Sequence, residues 1–281
     1  MYVITDGESG RLPPYSCLMS AQRSGVAVLL DIDGVLHIGE EPIAGACAAL
    51  GELREITDRI RLLTNTTSKS RRQIVAQLER LGFELSAEEV LTPAALAVKY
   101  CREQGHKRVK LMVADALLED LEDLDPAGDG EPADAVLLGD LGDALTPSLL
   151  NDAFRPLIEG AELIALQHNR YWQSPDGLVL DVGAYSAALE YAGQCEAFVV
   201  GKPAAAFFTA ALDELAASPE TAVMIGDDLE ADVGGALAAG LRGVLVRTGK
   251  YRDETLESSS VTPSEIIDSV ADVPALIRKM I

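Results

Sequence analysis

The run Val26-Ala27-Val28-Leu29-Leu30 is apolar without a break and stops at Asp31-Ile32-Asp33-Gly34. A short apolar run closed by turn residues predicts a strand buried on both faces, as in a parallel sheet. The same pattern recurs at Ile60–Leu63, Val109–Ala114, Ala135–Gly139, Leu163–Leu166, Ala197–Val200, Thr221–Ile225 and Gly243–Val246. Between these runs the apolar spacing becomes helical. Ala44–Glu55 predicts one helix, and a second follows Ser70-Arg71-Arg72-Gln73, which has capping-box spacing. Ile74, Val75, Leu78 and Leu81 form its apolar face. Thr92-Pro93 opens a third, with threonine suited to the cap and proline to the first turn. Further helices are predicted at Pro203–Ala216, Ala231–Ala239 and Ser264–Met280. Asp123–Pro132, acidic and rich in glycine and proline, reads as a loop, and Asp253–Ser264 as a polar connection.

Strands alternating with helices predict an α/β fold built on a parallel sheet with both faces covered. Residues 93–195 have strands and helices enough for a small α/β unit of their own. The expected organisation is a split core, 26–92 plus 196–281, with 93–195 inserted as a second domain. Residues 1–25 are polar and irregular, without the basic start and apolar stretch of a secretory signal. A flexible extension, an alternative start and part of a transit sequence all stay open for them.

Composition narrows the function. The chain has 281 residues, 48% of them hydrophobic, and a net charge of −22. That charge repels nucleic-acid backbones, so nucleic-acid binding is not expected. It also repels small anions, so a site for one needs local cations or a metal. No run approaches the roughly 18 apolar residues of a membrane span. The four cysteines (Cys17, Cys47, Cys101, Cys195) lack metal-type spacing and read as reduced thiols in a cytoplasmic protein. Three histidines (His37, His106, His168) argue against a zinc site.

Candidate chemistry sits where strands end, which is where open α/β sheets bind ligands. Asp31 and Asp33 repel each other there unless a cation or proton intervenes. Thr64 ends the second strand, and its hydroxyl with nearby amides suits an anion at a helix start, although threonine there also serves as a plain cap. Lys202, in Gly201-Lys202-Pro203, could offset negative charge or simply lie along the surface. Gly226-Asp227-Asp228, with Asp232 one turn on, invites a hard cation such as Mg²⁺; helix capping is the alternative for Asp228 and Asp232. Together, a carboxylate pair, a hydroxyl, a lysine and a second acid cluster suit phosphoryl transfer.

These four stations, in this order, resemble the four motifs of the haloacid dehalogenase (HAD) superfamily. The core resemblance covers about Val26–Thr92 and Ala197–Met280, and the insertion resembles the large α/β cap of the NagD-like branch. The stretches Thr64–Thr67, Gly177–Gly183, Leu189–Ala192, Val199–Pro203, Val223–Gly235 and Arg247–Tyr251 are most similar to the phospholysine/phosphohistidine/inorganic pyrophosphate phosphatases and their HAD-domain-containing relatives. Those relatives often carry serine where this chain has Asp33, which loosens any transfer of their substrates.

The resemblance implies a Rossmann-like core, with Asp31 as nucleophile and Asp33 as acid and base. It implies Mg²⁺ held by Asp31, the backbone carbonyl of Asp33 and Asp227, and Thr64 with backbone amides near Asn65 on the phosphoryl oxygens. Lys202 would neutralise charge, with Asp228 and Asp232 in support. It also implies that Gln167-His168-Asn169-Arg170-Tyr171-Trp172 faces the core site. His168 and Arg170 are then candidates for binding an anionic substrate, and Tyr171 or Trp172 for stacking on a ring; the alternative is that Trp172 packs the cap and Arg170 is a surface charge. The branch further implies a small phosphorylated substrate, pyrophosphate or a phosphoramidate, and a homodimer through the caps. Asp33 argues against dehalogenation, which needs no acid two residues on. Lys99, Lys107 and Lys110 lie in surface-like settings and do not suggest the Schiff-base lysine of phosphonate hydrolysis. A binding or regulatory protein on the same scaffold, weakly active or inactive, is the competing reading.

Overall fold

The computed structural model describes residues 25–174 and 177–281, with backbone alone at 172–174. Residues 1–24, including Cys17, and the Trp172 side chain lie outside the described residues. The chain opens with β1 (Ala27–Asp31), every residue of which is buried. A small antiparallel hairpin follows, β2 (His37–Ile38) with β3 (Glu41–Pro42). Helix α1 (Ala46–Ile56) buries Ala46, Ala49, Leu50 and Leu53 and leads to β4 (Ile60–Leu63). Helix α2 (Arg71–Arg80) begins with the expected capping box between Ser70 and Gln73. The two-residue strand β5 (Val90–Leu91) then precedes α3 (Pro93–Gln104), capped by the Thr92 side chain.

The second sheet starts at β6 (Arg108–Met112) and continues through β7 (Asp125–Pro126), β8 (Ala135–Leu138) and β9 (Glu162–Ala165). Helix α4 (Pro147–Ile158) separates the last two. An antiparallel ribbon, β10 (Tyr171–Ser174) with β11 (Gly177–Leu180), precedes α5 (Val182–Gly193) and β12 (Phe198–Val199). The chain then returns through α6 (Ala205–Glu214), β13 (Ala222–Gly226), α7 (Gly235–Ala238), β14 (Arg242–Val246), α8 (Asp253–Ser258), β15 (Glu265–Ile267) and α9 (Val273–Met280).

The core sheet has the order β15-β14-β13-β1-β4-β5, and all its pairings are parallel. From β1 the chain winds one way through β4 and β5, and later the other way through β13 to β15. That reversal beside β1 opens a crevice at the carboxyl ends of the strands. The register pairs Asp31 with Leu63 and Leu30 with Ile225, so the residues after these three strands emerge side by side. The second sheet, β12-β9-β8-β6-β7, is also wholly parallel. Fully buried strands explain the unbroken apolar runs in the sequence.

Five expectations change. Asp123–Pro132, read as a loop, contains β7, and Asp253–Ser264, read as a polar connection, contains α8. The run Ala197–Val200, assigned to the core, pairs instead with β9: Phe198 lies opposite Ile164, and its ring stacks on Tyr100 at 3.8 Å. Apolar runs report burial, not which sheet is joined, and pairing is non-local. The core therefore resumes at Gly201. The closing segment is not one helix. It holds edge strand β15, a turn of 3₁₀ helix at Val270–Asp272 and then α9. Residues 231–239 divide between a π-helical turn, Leu229–Gly234, and the short α7.

Candidate active site

The strand-end residues meet in a cavity of about 410 Å³ between the two sheets. Asp31, Asp33, Thr64, Asn65, Lys202, Asp228 and Asp232 all line it. At its centre the Lys202 ammonium lies 2.5 Å from Asp31 Oδ1 and 2.7 Å from Asp232 Oδ1. All three residues are buried. Asp232 Oδ2 also accepts the Asp228 backbone N–H at 3.1 Å. Asp232 is thus occupied in holding Lys202 and the turn after β13.

Asp227 completes the group. Oxygens of Asp31, Asp227 and Asp232 lie within 4.8 Å of one another. Asp227 Oδ2 accepts the Lys250 N–H at 2.7 Å, whereas Oδ1 is buried without a hydrogen-bond partner. Its carboxylate fits between two glycines in the left-handed region. A Cβ at Gly34 (φ 83°) or at Gly249 (φ 61°) would stand 1.9 Å from Asp227 Oδ2.

Three buried carboxylates face one buried ammonium, which leaves the cluster short of positive charge. Burial, and then the neighbouring Asp232, push the Asp31 carboxyl well above the usual carboxylate range despite the opposing pull of Lys202. Burial and Asp232 likewise raise Asp227 to about 6. Burial alone would lower Lys202, but Asp232 and Asp31 outweigh it and hold the ammonium protonated. An unpaired buried carboxylate oxygen is costly. An all-oxygen donor set of this kind fits a hard divalent cation held by Asp31 and Asp227.

Asp33 stands apart, with its side chain 61% exposed at the cavity. Thr66 Oγ1 donates to its Oδ2 at 3.3 Å, and His37 Nε2 is 3.6 Å from its Oδ1. Thr64 Oγ1 accepts the Thr66 N–H and donates to Thr66 Oγ1, each at 3.0 Å. The threonines therefore hold one another and lean on Asp33.

The Asn65 side chain has a part of its own beside the backbone amides expected at the phosphoryl oxygens. Its Oδ1 accepts the Lys202 N–H and its Nδ2 donates to the Lys202 carbonyl, both at 2.8 Å. The side chain clamps the backbone that carries the buried lysine. Asp228 caps the turn after β13, accepting from Glu230 and Ala231, and pairs with Lys250 Nζ at 3.0 Å. Burial would raise its carboxyl, but Lys250 and the Ala231 N–H hold it low.

On the far side of the cavity, Asp140, Gln167, Asn169 and Asp181 form the wall. His168 and Arg170 do not line it. His168 pairs with Glu190 at 3.5 Å, and Arg170 lies over the Tyr171 ring. In this part of the chain the inward residues are the alternate ones, Gln167 and Asn169. Tyr171 is exposed and not in the lining. Lys250 is the residue the motif reading missed as a site member. It follows β14, so the strand-end rule that found the other stations also points there.

Two family models match the chain: a haloacid dehalogenase-like hydrolase model over residues 28–126 and a HAD-hydrolase-like model over residues 199–273. The phospholysine phosphohistidine inorganic pyrophosphate phosphatase of Xenopus laevis is 41% identical over 261 residues, covering 90% of this chain and 95% of that protein. The chain belongs to the HAD-like hydrolases. Among solved structures, a p-nitrophenyl phosphatase from Archaeoglobus fulgidus superposes with a TM-score of 0.83 at 26% identity, covering 89% of this chain and 98% of that one. A glycerol phosphate phosphatase from Mycobacterium tuberculosis in complex with magnesium gives 0.78 at 29% identity, covering 88% of this chain and 75% of that one. The family member described here is an enzyme of the hydrolase class, and the family places a divalent metal with it.

Proposed function

We propose that this HAD-family phosphohydrolase transfers a phosphoryl group from a small phosphorylated substrate to Asp31 and then to water, with Mg²⁺ as its metal. The observation that carries the reading is Lys202 Nζ bridging Asp31 and Asp232 beside the unpartnered Oδ1 of Asp227. Lys202 occupies Oδ1 of Asp31, which leaves Oδ2 as the attacking oxygen. Oδ2 bonds to phosphorus as the bond from phosphorus to the leaving oxygen or nitrogen breaks. Asp33 gives its proton to the leaving atom, then takes one from the water that cleaves the aspartyl-phosphate. Inorganic phosphate leaves and the Asp31 carboxylate is restored. Thr66, braced by Thr64, holds Asp33 at the cavity for both transfers.

Asp31, Asp227 and the Asp33 carbonyl are the groups that would hold Mg²⁺. When bound, the ion shields the phosphoryl oxygens from the attacking carboxylate. Supporting magnesium over other divalent ions are the all-oxygen donors and the magnesium complex of the glycerol phosphate phosphatase. Residues 93–200 act as a cap whose wall excludes bulk water and selects the substrate.

A homodimer through the caps is supported by Leu178, Val179 and Leu180, which are 66, 42 and 58% exposed on the β10–β11 ribbon. Tyr171 on the same ribbon and Tyr191 on α5 are also exposed. A cytoplasmic location is supported by Cys47, Cys101 and Cys195, all free thiols. No helix among the described residues is long and apolar enough to cross a membrane.

The test is release of phosphate from p-nitrophenyl phosphate with and without Mg²⁺, by the wild type and by Asp31→Asn. Turnover by the wild type that is lost in the variant and with chelator supports the reading. Equal, negligible rates in both proteins, with pyrophosphate and a phosphoramidate also untouched, would favour a binding protein.

A further inference from the structure

The cavity wall opposite Asp31 carries charge of an unexpected sign. Among the described residues the lining holds six aspartates against two lysines, with no arginine or histidine. A divalent cation would add two positive charges and still leave the lining negative before a phosphate dianion enters. Asp140 and Asp181, on the cap side, belong to that excess, and neither takes part in the phosphoryl chemistry.

The wall is built rather than incidental. Gln167 is buried; its Nε2 donates to Asp181 Oδ1, and its Oε1 accepts the Asn169 N–H at 2.6 Å. Asp181 also accepts the Val182 N–H at 2.8 Å as the cap of α5. Gly183 donates to Asn169 O at 3.0 Å, and a Cβ there would stand 2.5 Å from His168 O, so only glycine lets α5 approach this closely. The start of α5 and the turn after β9 are thereby fixed to each other. Burial pushes the Asp181 carboxyl up, and nearby Asp140 adds to this.

We propose that this wall selects an organic monophosphate whose other end carries a protonated amine, with Asp140 and Asp181 as the groups that receive it. The proposal rests on the phosphatase reading and names its substrate class. A second anionic group on the substrate would face like charge across a small cavity, and like-charge juxtaposition is strongly disfavoured. Gln167 and Asn169 supply amide groups beside the carboxylates, so an ammonium has carboxylate and carbonyl oxygens within one surface.

The experiment compares three substrates of matched length with Mg²⁺ present: phosphoethanolamine, 2-hydroxyethyl phosphate and phosphoglycolate. p-Nitrophenyl phosphate reports separately on the reaction itself. The expected order of kcat/KM is amine above hydroxyl above carboxylate, with about tenfold or more between the ends, narrowing as salt is raised. In Asp140→Asn with Asp181→Asn the gap closes to about threefold, mainly through a higher KM for phosphoethanolamine. Asparagine still accepts the cap and turn hydrogen bonds, so the variant keeps the local fold. Turnover of p-nitrophenyl phosphate with no preference for the amine, with the reverse preference, or with a gap unchanged in the variant overturns the substrate assignment alone. Phosphate release from none of the four compounds overturns the substrate assignment, and the phosphatase reading falls with it if pyrophosphate and a phosphoramidate are also untouched.

Discussion

At the scale of single residues, the buried Lys202 bridge decides how substitutions behave. Removing the Lys202 charge leaves Asp31 and Asp232 buried and unpaired, the situation in which a broken buried pair is costly. Lys202→Met is expected to lose activity and about 3–5 kcal/mol of stability, read by denaturant melts. Asp31→Asn acts in the other direction. Its carboxyl is raised by burial, so the ionised form opposes folding at neutral pH. The variant should be inactive, yet the metal-free protein should melt no lower than the wild type. Asn65→Ala removes two hydrogen bonds to the Lys202 backbone and should cost about 1–3 kcal/mol together with a fall in kcat.

The acid group at Asp227 gives a pH signature. Its carboxyl rises from an ordinary 3.8 to about 6 in the metal-free fold. A raised folded-state value means the stabilising share is present below about 4 and is lost as pH rises through 6. A cation at Asp227 competes with that proton. The rise in melting temperature caused by Mg²⁺ should therefore be small at pH 5 and larger at pH 7.5. A rise independent of pH over this range would exclude Asp227 as a ligand.

At the scale of elements, turns and caps do the positioning. Ser70 caps α2 through Gln73, and Ser70→Ala should cost about 1 kcal/mol with little change in kcat, because neither Ser70 nor any residue of α2 lines the cavity. Gly249→Ala is a sharper case. The added Cβ meets the Asp227 carboxylate and must adopt a positive φ, so metal affinity should fall more than thermal stability.

Most of this was legible in the sequence because it is local. The strand-end acids, the α2 capping box and the Thr92-Pro93 start each need only a few consecutive residues. What was not legible depends on non-local pairing. Ala197–Val200 has the composition of a core strand but completes the second sheet beside β9. Asn65 sits on the phosphate station, yet its amide is taken up by a backbone 137 positions away. The closing segment hid a strand because Glu265–Ile267 is too short to show a period of two before the helical pattern of Val270, Val273 and Ile277 begins. At the cap, the reading found the right loop but favoured His168 and Arg170, the conspicuous charges. The side chains that line the cavity are the amides that alternate with them, Gln167 and Asn169.

At the scale of the whole molecule, the two parallel sheets are joined by apolar packing that runs through α3 and α6. Further links cross the cleft. The Arg71 N–H donates to Asp120 at 2.7 Å, and Arg72 pairs with Glu119 at 3.0 Å. The net charge of −22 is spread over a surface that still presents the apolar ribbon Leu178–Leu180. Replacing Leu178 by Glu should convert a dimer to a monomer in light scattering, since an added charge at an apolar contact is unfavourable. A protein that is monomeric before substitution would remove the dimer from the account.

Asp31 is the group proposed to receive phosphate. The direct measurement is intact mass and peptide mapping after acid quench of Asp33→Asn mixed with Mg²⁺ and p-nitrophenyl phosphate. In the proposed mechanism this variant retains the nucleophile but lacks the base that clears the intermediate. The predicted result is a mass gain of one phosphoryl group, mapped to Asp31 and absent when Asp31 is also changed to Asn. A phosphoryl group on another residue, or phosphate release by Asp31→Asn at the wild-type rate, would contradict it.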